Sequence, residues 1–271
     1  MPSGYYNNRF SNGQLWVEYL ATSLGITTDP LLTNFAEGGA TTGAVNNGQG
    51  GWPRLIGIKT QVATYAIKDP NALYIIWGGA NDYVGATLAN PLDIDKTLGN
   101  LTDEIGTLIT RDSAKNILVV NLPNLGQLPH ILQQQQPAVS AMLDAVTASH
   151  NTKLATNIDT LSRNNISVKL NLLDVNSLFS TATNAEFTNV TDGCIYAPIC
   201  TPDTYLFWDD AHPTTAGHRL LGDLAFSVVS PTAIPEPMTM LGSLAAMSSA
   251  IAFKRKLKPS SLKAKELVKN I

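Results

Sequence analysis

Cysteine and charged residues are both scarce in this chain of 271 residues. It contains two cysteines, and Asp, Glu, Lys and Arg together make up only 14% of the sequence. Two cysteines exclude a disulfide-rich miniprotein, and the 44% of hydrophobic residues excludes a disordered chain. No internal repeat is present. The length and composition therefore indicate one globular domain with a substantial core.

Positive charge is also scarce over most of the chain and is concentrated at its end. Residues 1–253 carry 11 basic and 20 acidic side chains, whereas residues 254–271 carry seven basic side chains and one acidic side chain. An acidic body repels phosphate backbones, so we do not expect this protein to bind nucleic acid.

The two cysteines, Cys194 and Cys200, lie in a loop-like stretch with the sequence GCIYAPICTPD. No other cysteine and no clustered histidine lies near them, so a zinc site lacks ligands. A small-loop disulfide in an oxidising compartment and a pair of free thiols both fit this sequence.

Apolar runs alternate with helical stretches along the middle of the chain. This alternation predicts an α/β fold with a mostly parallel sheet covered by helices on both faces. In such sheets, functional groups gather beyond the carboxyl ends of the strands. Residues 181–205 read as a loop. The predicted strands are residues 31–36, 72–77, 116–121 and 166–174, and the predicted helices are residues 14–24, 52–68, 92–110, 138–162 and 213–229.

The segment FWDDAHPT, residues 207–214, places a carboxylate three residues before a histidine. The carboxylate of Asp209 can accept the Nδ1–H of His212, which fixes the tautomer and leaves Nε2 free as a base. Pro213 reads as the first residue of the following helix. An isolated Asp-x-x-His pattern is more often a helix N-cap beside an exposed histidine, so other signals decide between the two interpretations.

Two further turns follow predicted strands. Asn81, in GGAND, comes after the strand 72–77, and its side-chain amide can donate to a developing oxyanion. Gly39, in NFAEGGATT, follows the strand 31–36, and its missing Cβ lets the backbone N–H face a ligand. Each is also an ordinary turn residue. Together with the Asp-x-x-His pattern, they indicate a site at one edge of the sheet.

These segments resemble the GDSL-type (SGNH) hydrolases, a family of esterases and lipases with a flavodoxin-like three-layer α/β/α sandwich. The resemblance implies that Gly39 and Asn81 are oxyanion-hole donors, with Gly38 as the less favoured alternative to Gly39. It also implies that Asp209 and His212 belong to a Ser-His-Asp triad that hydrolyses lipid or carbohydrate esters without a metal or other cofactor. The similar segments are YYNNRFSNGQLWVEYLA, NFAEGGATTG, IWGGANDY, VVNLPNLGQLP and YLFWDDAHPTTAGH.

The family's Gly-Asp-Ser-Leu motif, which carries the nucleophile at the end of the first strand, is absent, and no Gly-x-Ser-x-Gly occurs. Ser3 and Ser11 precede any predicted strand, and we do not expect either to replace that serine. We therefore expect an inactive chain that also lacks the first strand, with unpaired ladder groups and a gap in its core.

Two interpretations account for the missing motif. In the first, the start codon has been assigned too late, which also accounts for the absence of a signal peptide after Met1. In the second, the protein is a non-catalytic envelope or matrix protein that binds ligands on a decayed hydrolase fold. We favour the first, because one omission explains both absences.

Residues 231–271, at the end of the chain, resemble a PEP-CTERM sorting signal. Residues 1–230 form a separate unit, the N-terminally incomplete hydrolase domain. Pro235-Glu236-Pro237 precedes an uncharged run, residues 238–253, which Lys254-Arg255-Lys256 follows at once. The run is shorter than the roughly 20 residues that span a bilayer unaided, but its basic flank is typical of a membrane-inserted segment. The resemblance implies a bacterial envelope, surface or extracellular protein processed by an exosortase-type enzyme. A surface amphipathic helix is less favoured, because the run carries no charge.

Overall fold

A computed structural model describes residues 3–26, 33–46, 56–65, 68–83, 92–182 and 187–230. The expectations for residues 231–271, including the apolar run and its basic flank, lie outside the described residues. Within the described ranges, no helix combines the length and the hydropathy needed to cross a membrane.

Helices and strands alternate along the described part of the chain, joined by short 3₁₀ turns. In chain order the elements are α1 (Trp16–Ser23), α2 (Ile58–Thr64), β1 (Leu73–Trp77), α3 (Ala80–Tyr83), α4 (Ile94–Arg111), β2 (Asn116–Val120), α5 (Pro129–Gln133), α6 (Pro137–Asn164), β3 (Lys169–Leu173), α7 (Val175–Ala182), β4 (Asn189–Gly193), β5 (Tyr205–Phe207) and α8 (Thr215–Val229).

The main sheet has three parallel strands in the order β1-β2-β3. Leu73 lies opposite Asn116, which in turn lies opposite Lys169, so the three strands are in register. Parallel neighbours need crossover connections, which α4 and α6 provide. Strands β4 and β5 form a separate parallel pair. The predicted α/β fold with a parallel sheet is confirmed.

Strand β2 is buried on both faces, which explains why its sequence, NILVV, does not alternate between apolar and polar residues. Ile117 and Val119 pack in a cluster with α2 and α4, whereas Leu118 and Val120 pack in a cluster with α1 and α8. Successive strand residues point to opposite faces of a sheet. Helices therefore cover both faces of β2, as expected for a buried parallel strand.

An apolar cavity of about 370 Å³ lies beside β1. All five residues of Leu73–Trp77 line it, together with residues of α1 and α2. Because consecutive strand residues alternate between faces, a cavity lined by all five lies at the edge of the strand. Within the described ranges, β2 is the only strand paired with β1.

The predicted strand 31–36 is wrong for its described part. Residues 33–36 form no strand, and the backbone N–H of Ala36 donates to Oδ1 of Asn34. A side chain that accepts this hydrogen bond favours a turn over a sheet ladder. Of the predicted helix 52–68, the described part is helical only over Ile58–Thr64, because Tyr65 adopts an extended backbone.

The region 181–205, predicted as a loop, contains the last two residues of α7, a helix that the sequence did not predict, and β4. The sequence NVTDG has no alternating apolar pattern, and β4 forms because it pairs with β5. The last helix begins at Thr215 rather than at Pro213, because Thr214 is its N-cap. The Thr214 hydroxyl accepts a hydrogen bond from the N–H of Gly217 at 3.2 Å.

Candidate active site

The loop between β5 and α8 is fixed at both ends. The backbone N–H of Trp208 donates to the carbonyl of His212 at 2.7 Å, and Phe207 forms an isolated β-bridge with Pro213. At the far end, Thr214 caps α8. A loop closed in this way holds the side chains of residues 209–212 in one arrangement.

Asp209 and His212 are in direct contact within this loop. Nδ1 of His212 lies 2.8 Å from Oδ2 and 2.9 Å from Oδ1 of Asp209. Oδ1 also accepts the backbone N–H groups of Ala211 at 2.9 Å and His212 at 2.7 Å. An ionised carboxylate only accepts hydrogen bonds, so Nδ1 carries the proton and Nε2 is the basic nitrogen of the neutral ring.

The two partners differ in their exposure to solvent. The Asp209 side chain is 7% accessible, whereas the His212 side chain is 44% accessible. Burial raises the pKa of Asp209, but the hydrogen bonds from the imidazole and from two backbone N–H groups outweigh it, so its pKa lies below the usual value. Asp209 is therefore a buried anion that holds an accessible imidazole.

Tyr5 is a further partner of this carboxylate. Its hydroxyl donates to Oδ2 of Asp209 at 2.8 Å, and its ring contacts Phe10 and Trp208 edge-on. Burial and the hydrogen bond to Asp209 raise the pKa of Tyr5, so the phenol keeps its proton at neutral pH. No sequence pattern predicts this role for Tyr5, and its place in the segment YYNNRF is the only signal for it.

The segment that carries Phe10 is anchored to α1. Asn7 and Asn8 adopt positive φ angles of 42° and 61°, which asparagine tolerates better than most residues. The guanidinium of Arg9 then binds both oxygens of Glu18, at 2.6 and 2.7 Å. This bidentate ion pair fixes the turn and therefore the position of Phe10, the next residue.

Phe10 lies between the imidazole and the glycine turn. Its ring stacks on His212, with centroids 4.6 Å apart and planes inclined by 17°. A Cβ atom added at Gly38 would lie 2.6 Å from Cε2 of Phe10, so glycine permits this close approach. The stretch that contains Gly39 is thus brought to the same place as His212.

Gly39 and Asn81 meet through the intervening residue Ala40. Gly39 has a φ of +82°, in the left-handed region that favours glycine. Nδ2 of Asn81 donates to the carbonyl of Ala40 at 3.1 Å. The structure therefore ties Asn81, on α3, to the residue that follows Gly39, in a turn whose Gly38 lies against Phe10.

The same turn is tied to α3 by Asp82. The Asp82 carboxylate accepts the backbone N–H of Thr42 at 2.9 Å and its hydroxyl at 2.8 Å. Burial raises the pKa of Asp82 although these hydrogen bonds oppose the shift. Nδ2 of Asn100 in turn donates to the Thr42 hydroxyl at 3.0 Å, which links the turn to α4.

Ser11 has a structural position beside this site. It is 0% exposed, and its hydroxyl donates to the carbonyl of Pro213 at 3.0 Å. The next residue, Asn12, accepts the backbone N–H of Thr215 through its side chain at 2.8 Å. Both bonds attach the N-terminal segment to the start of α8, and the Ser11 proton is directed at a backbone carbonyl instead of an imidazole nitrogen.

Cys194 and Cys200 form a disulfide, with Cα atoms 5.2 Å apart. Of the two alternatives open in the sequence, the structure has the bridge. The backbone N–H of Ile195 donates to the carbonyl of Trp208 at 2.9 Å, so the bridged loop lies against the residue before Asp209. In the part of the chain that the structure describes, no group of three or more His, Cys, Asp or Glu side chains is placed to hold a metal ion.

Comparison with known proteins identifies the family of this chain. A model of the GDSL-like lipase/acylhydrolase family matches residues 2–225. Phosphatidylcholine-sterol acyltransferase from Aeromonas hydrophila is 33% identical over 159 residues, which cover 56% of this chain and 45% of that protein. Thermolabile hemolysin from Vibrio parahaemolyticus is 25% identical over 255 residues, which cover 82% of this chain and 56% of that protein. Esterase EstA from Pseudomonas aeruginosa is 29% identical over 193 residues, which cover 65% of this chain and 29% of that protein. The chain thus spans about half or less of the length of these relatives.

Proposed function

Because the chain belongs to the GDSL-like lipase/acylhydrolase family, we propose that it carries the acid–base half of a serine ester hydrolase. In this function His212 is the general base and Asp209 orients it. The observation that carries the proposal is the 2.8 Å contact between a buried carboxylate and an accessible imidazole. The esterase and acyltransferase names of the relatives support a carboxylic ester as the substrate. We propose that it is an ester of a lipid or a carbohydrate.

The chemistry requires a serine hydroxyl beside Nε2 of His212. The imidazole takes the hydroxyl proton as the serine oxygen bonds to the ester carbonyl carbon, and the carbonyl electron pair moves onto oxygen. Collapse of this intermediate breaks the bond to the alcohol, which leaves with the proton from His212. Water then attacks the acyl-enzyme in the same way, releasing the acid and restoring the serine. Asp209 stays ionised and stabilises the imidazolium.

Gly39 and Asn81 are proposed to stabilise the negative charge that develops on the carbonyl oxygen. A backbone N–H and a side-chain amide, together with the N–H of the serine, form the usual three-donor oxyanion hole. The hydrogen bond from the Asn81 side chain to Ala40, the residue after Gly39, supports this role, because donors held rigidly need no reorganisation as charge develops.

The nucleophile itself is proposed to come from outside residues 1–271. The chain contains no Gly-Asp-Ser or Gly-x-Ser-x-Gly sequence, and the Ser11 hydroxyl is engaged with Pro213. Loss of the nucleophile costs on the order of 10⁶ in turnover in a studied serine protease. We therefore propose that the chain by itself is inactive, and that the active enzyme carries an upstream Gly-Asp-Ser segment.

The test is hydrolysis of p-nitrophenyl butyrate by the protein translated in frame from upstream of Met1, here called the serine-bearing protein. We expect it to hydrolyse the ester, and we expect the chain of 271 residues to be inactive. His212→Ala should abolish the activity of the serine-bearing protein. An upstream sequence without Gly-Asp-Ser, or unchanged turnover in the His212→Ala variant, would overturn the proposal.

For residues 231–271 we propose a PEP-CTERM sorting signal that inserts in the membrane and is processed by an exosortase-type enzyme. The support is the Pro-Glu-Pro sequence, the uncharged run of residues 238–253 and the basic flank. Export to the envelope follows from this role. In cells that contain the processing enzyme, Glu236→Ala should leave an uncleaved, membrane-bound precursor. An equal amount of processed protein from wild type and variant would contradict the proposal.

A further inference from the structure

The carboxylate of Asp209 accepts hydrogen bonds on both of its oxygens. The backbone N–H groups of Ala211 and His212 donate to Oδ1, and the hydroxyl of Tyr5 donates to Oδ2 at 2.8 Å. Nδ1 of His212 lies within 2.9 Å of both oxygens. Among the described residues, Tyr5 is therefore the one side chain besides His212 that binds this carboxylate.

Packing from three parts of the chain holds Tyr5 in place. Its ring meets Phe10 and Trp208 edge-on, with centroids 6.3 and 6.5 Å away. The preceding residue, Gly4, has a φ of +103°, and a Cβ atom added there would lie 2.9 Å from Cδ1 of Ile195, in the bridged loop. The hydroxyl is therefore directed at the carboxylate by the fold, and its hydrogen bond does not depend on a mobile side chain.

The hydrogen bond from Tyr5 acts on the negative charge that Asp209 presents to His212. A donor binds a carboxylate more strongly when the neighbouring imidazole is neutral, because an imidazolium at 2.8 Å already compensates part of the charge. The Tyr5 hydroxyl therefore favours the neutral ring over the imidazolium. A general base must be neutral before it can accept a proton, so this hydrogen bond extends the pH range in which the base is ready.

Other titratable groups surround the pair. In the part of the chain that the structure describes, none of them donates a side-chain hydrogen bond to the Asp209 carboxylate, so none replaces Tyr5. One of them, His218, is neutral, because burial lowers its pKa to about 3. The titratable and charged groups on the surrounding elements are Asp210 of the same loop, Tyr196 of the bridged loop, His218 of α8, Glu18 of α1 with its partner Arg9, and His130 of α5.

We propose that Tyr5 is a positioning residue that acts through Asp209. Its hydroxyl fixes Oδ2 and limits the negative charge presented to His212, so that the imidazole stays neutral and able to accept a proton at mildly acidic pH. This role rests on the proposed function, in which His212 is the general base. The phenol keeps its own proton throughout, because burial and the hydrogen bond to Asp209 raise the pKa of Tyr5.

Tyr5→Phe removes the hydroxyl and keeps the ring between its aromatic neighbours. In the serine-bearing protein, we expect kcat/KM for p-nitrophenyl butyrate at pH 8 to stay within about threefold of wild type, and the acid limb of its pH profile to move up by about half a unit to one unit. Well below the midpoint, the variant should lose a further 3- to 10-fold, which is that shift expressed as a rate. Tyr6→Phe, the same change at a ring that lies against Arg9, should leave the profile unchanged. An equal loss at every pH would show a merely structural role and overturn the proposal.

An NMR titration of the His212 ring in the chain of 271 residues separates this role from the proposed function, because it needs no nucleophile. The His212→Ala variant identifies the resonance. We expect Tyr5→Phe to raise the midpoint by about half a unit to one unit and Tyr6→Phe to leave it unchanged. A raised midpoint without ester hydrolysis by the serine-bearing protein would support the effect of Tyr5 on His212 and contradict the proposed function. An unchanged or lowered midpoint would overturn the role of Tyr5, whatever the activity.

Discussion

Phe10 and His212 stack face to face, with ring centroids 4.6 Å apart, although they come from opposite ends of the described chain. The far edge of the Phe10 ring lies against Gly38. One aromatic ring thus spaces the imidazole from the turn that contains Gly39. We therefore expect the position of Phe10 to influence the distance between the proposed base and the proposed oxyanion-hole turn.

Phe10→Ala tests this spacing role. Removal of the ring frees the imidazole to move, and a displacement of about 1 Å at a catalytic group can cost on the order of 10²-fold in rate. We expect kcat of the serine-bearing protein to fall by about 10- to 100-fold, with little change in KM. Tyr6→Ala is the matched control, because Tyr6 is a similarly exposed ring that lies against Arg9. An equal loss of kcat in both variants would show that Phe10 has no special role.

Asp209→Asn tests the orienting carboxylate. An asparagine amide can donate to Nδ1, which favours the wrong tautomer, and the same change in a serine protease lowers kcat by about 10⁴. We expect a loss of that order for p-nitrophenyl butyrate hydrolysis by the serine-bearing protein. Asp210→Asn, a matched change at the neighbouring acid, should leave the rate within a few-fold. The reverse result would assign the role to Asp210.

Gly39→Ala tests the left-handed backbone at the proposed oxyanion hole. An L-residue at a φ of +82° costs about 1–2 kcal/mol, so the free energy of unfolding should fall by that amount. Gly43→Ala is the control from the same loop, since its added Cβ would meet no atom closer than 3.7 Å. Urea denaturation measures the free energy of unfolding of both variants. A smaller loss for Gly39→Ala than for Gly43→Ala would contradict the conformation.

His218→Leu tests how much the buried imidazole lowers the free energy of unfolding at low pH. His218 is 6% exposed, neither ring nitrogen has a hydrogen-bond partner among the described residues, and burial lowers its pKa to about 3. Below the unfolded pKa of about 6.5, the unfolded state binds a proton that the native state does not, so the native state is destabilised as pH falls. At pH 5 the resulting loss in the free energy of unfolding is about 2 kcal/mol for one histidine.

We therefore expect His218→Leu to be at least as stable as wild type at pH 7 and to lose less stability between pH 6.5 and pH 4. A residual loss should remain, because burial also lowers the pKa of His150, to about 4. Thermal denaturation at a series of pH values provides the measurement. A steeper loss in the variant than in wild type would show that His218 is charged in the native protein.

The strands and the Asp-His pair were predictable because their signals are local. NILVV and ALYIIW are apolar runs that need no partner to be recognised, and the three-residue spacing of Asp209 and His212 lies within one loop. Strand β4 was not predictable from such signals, because its polar sequence forms a strand only where β5 lies beside it. The turn at residues 33–36 was not predictable either, because it depends on a hydrogen bond to the Asn34 side chain.

The contacts that complete the site are not local and had no sequence signal of their own. Tyr5 reaches Asp209 across 204 positions of the chain, and Phe10 reaches His212 across a similar distance. Each depends on how Arg9 and Glu18 fix the N-terminal turn on α1. Periodicity and spacing report contacts within one element, so they do not identify partners that only the assembled fold brings together.

Labelling with a fluorophosphonate, followed by mass spectrometric mapping of the adduct, tests most directly whether His212 awaits a serine from outside this chain. We expect the chain of 271 residues to remain unlabelled at every serine, including Ser3 and Ser11. The serine-bearing protein should carry one adduct, on the serine of Gly-Asp-Ser, and His212→Ala should abolish it. An adduct on a serine within residues 1–271, formed at a comparable rate and dependent on His212, would contradict the account.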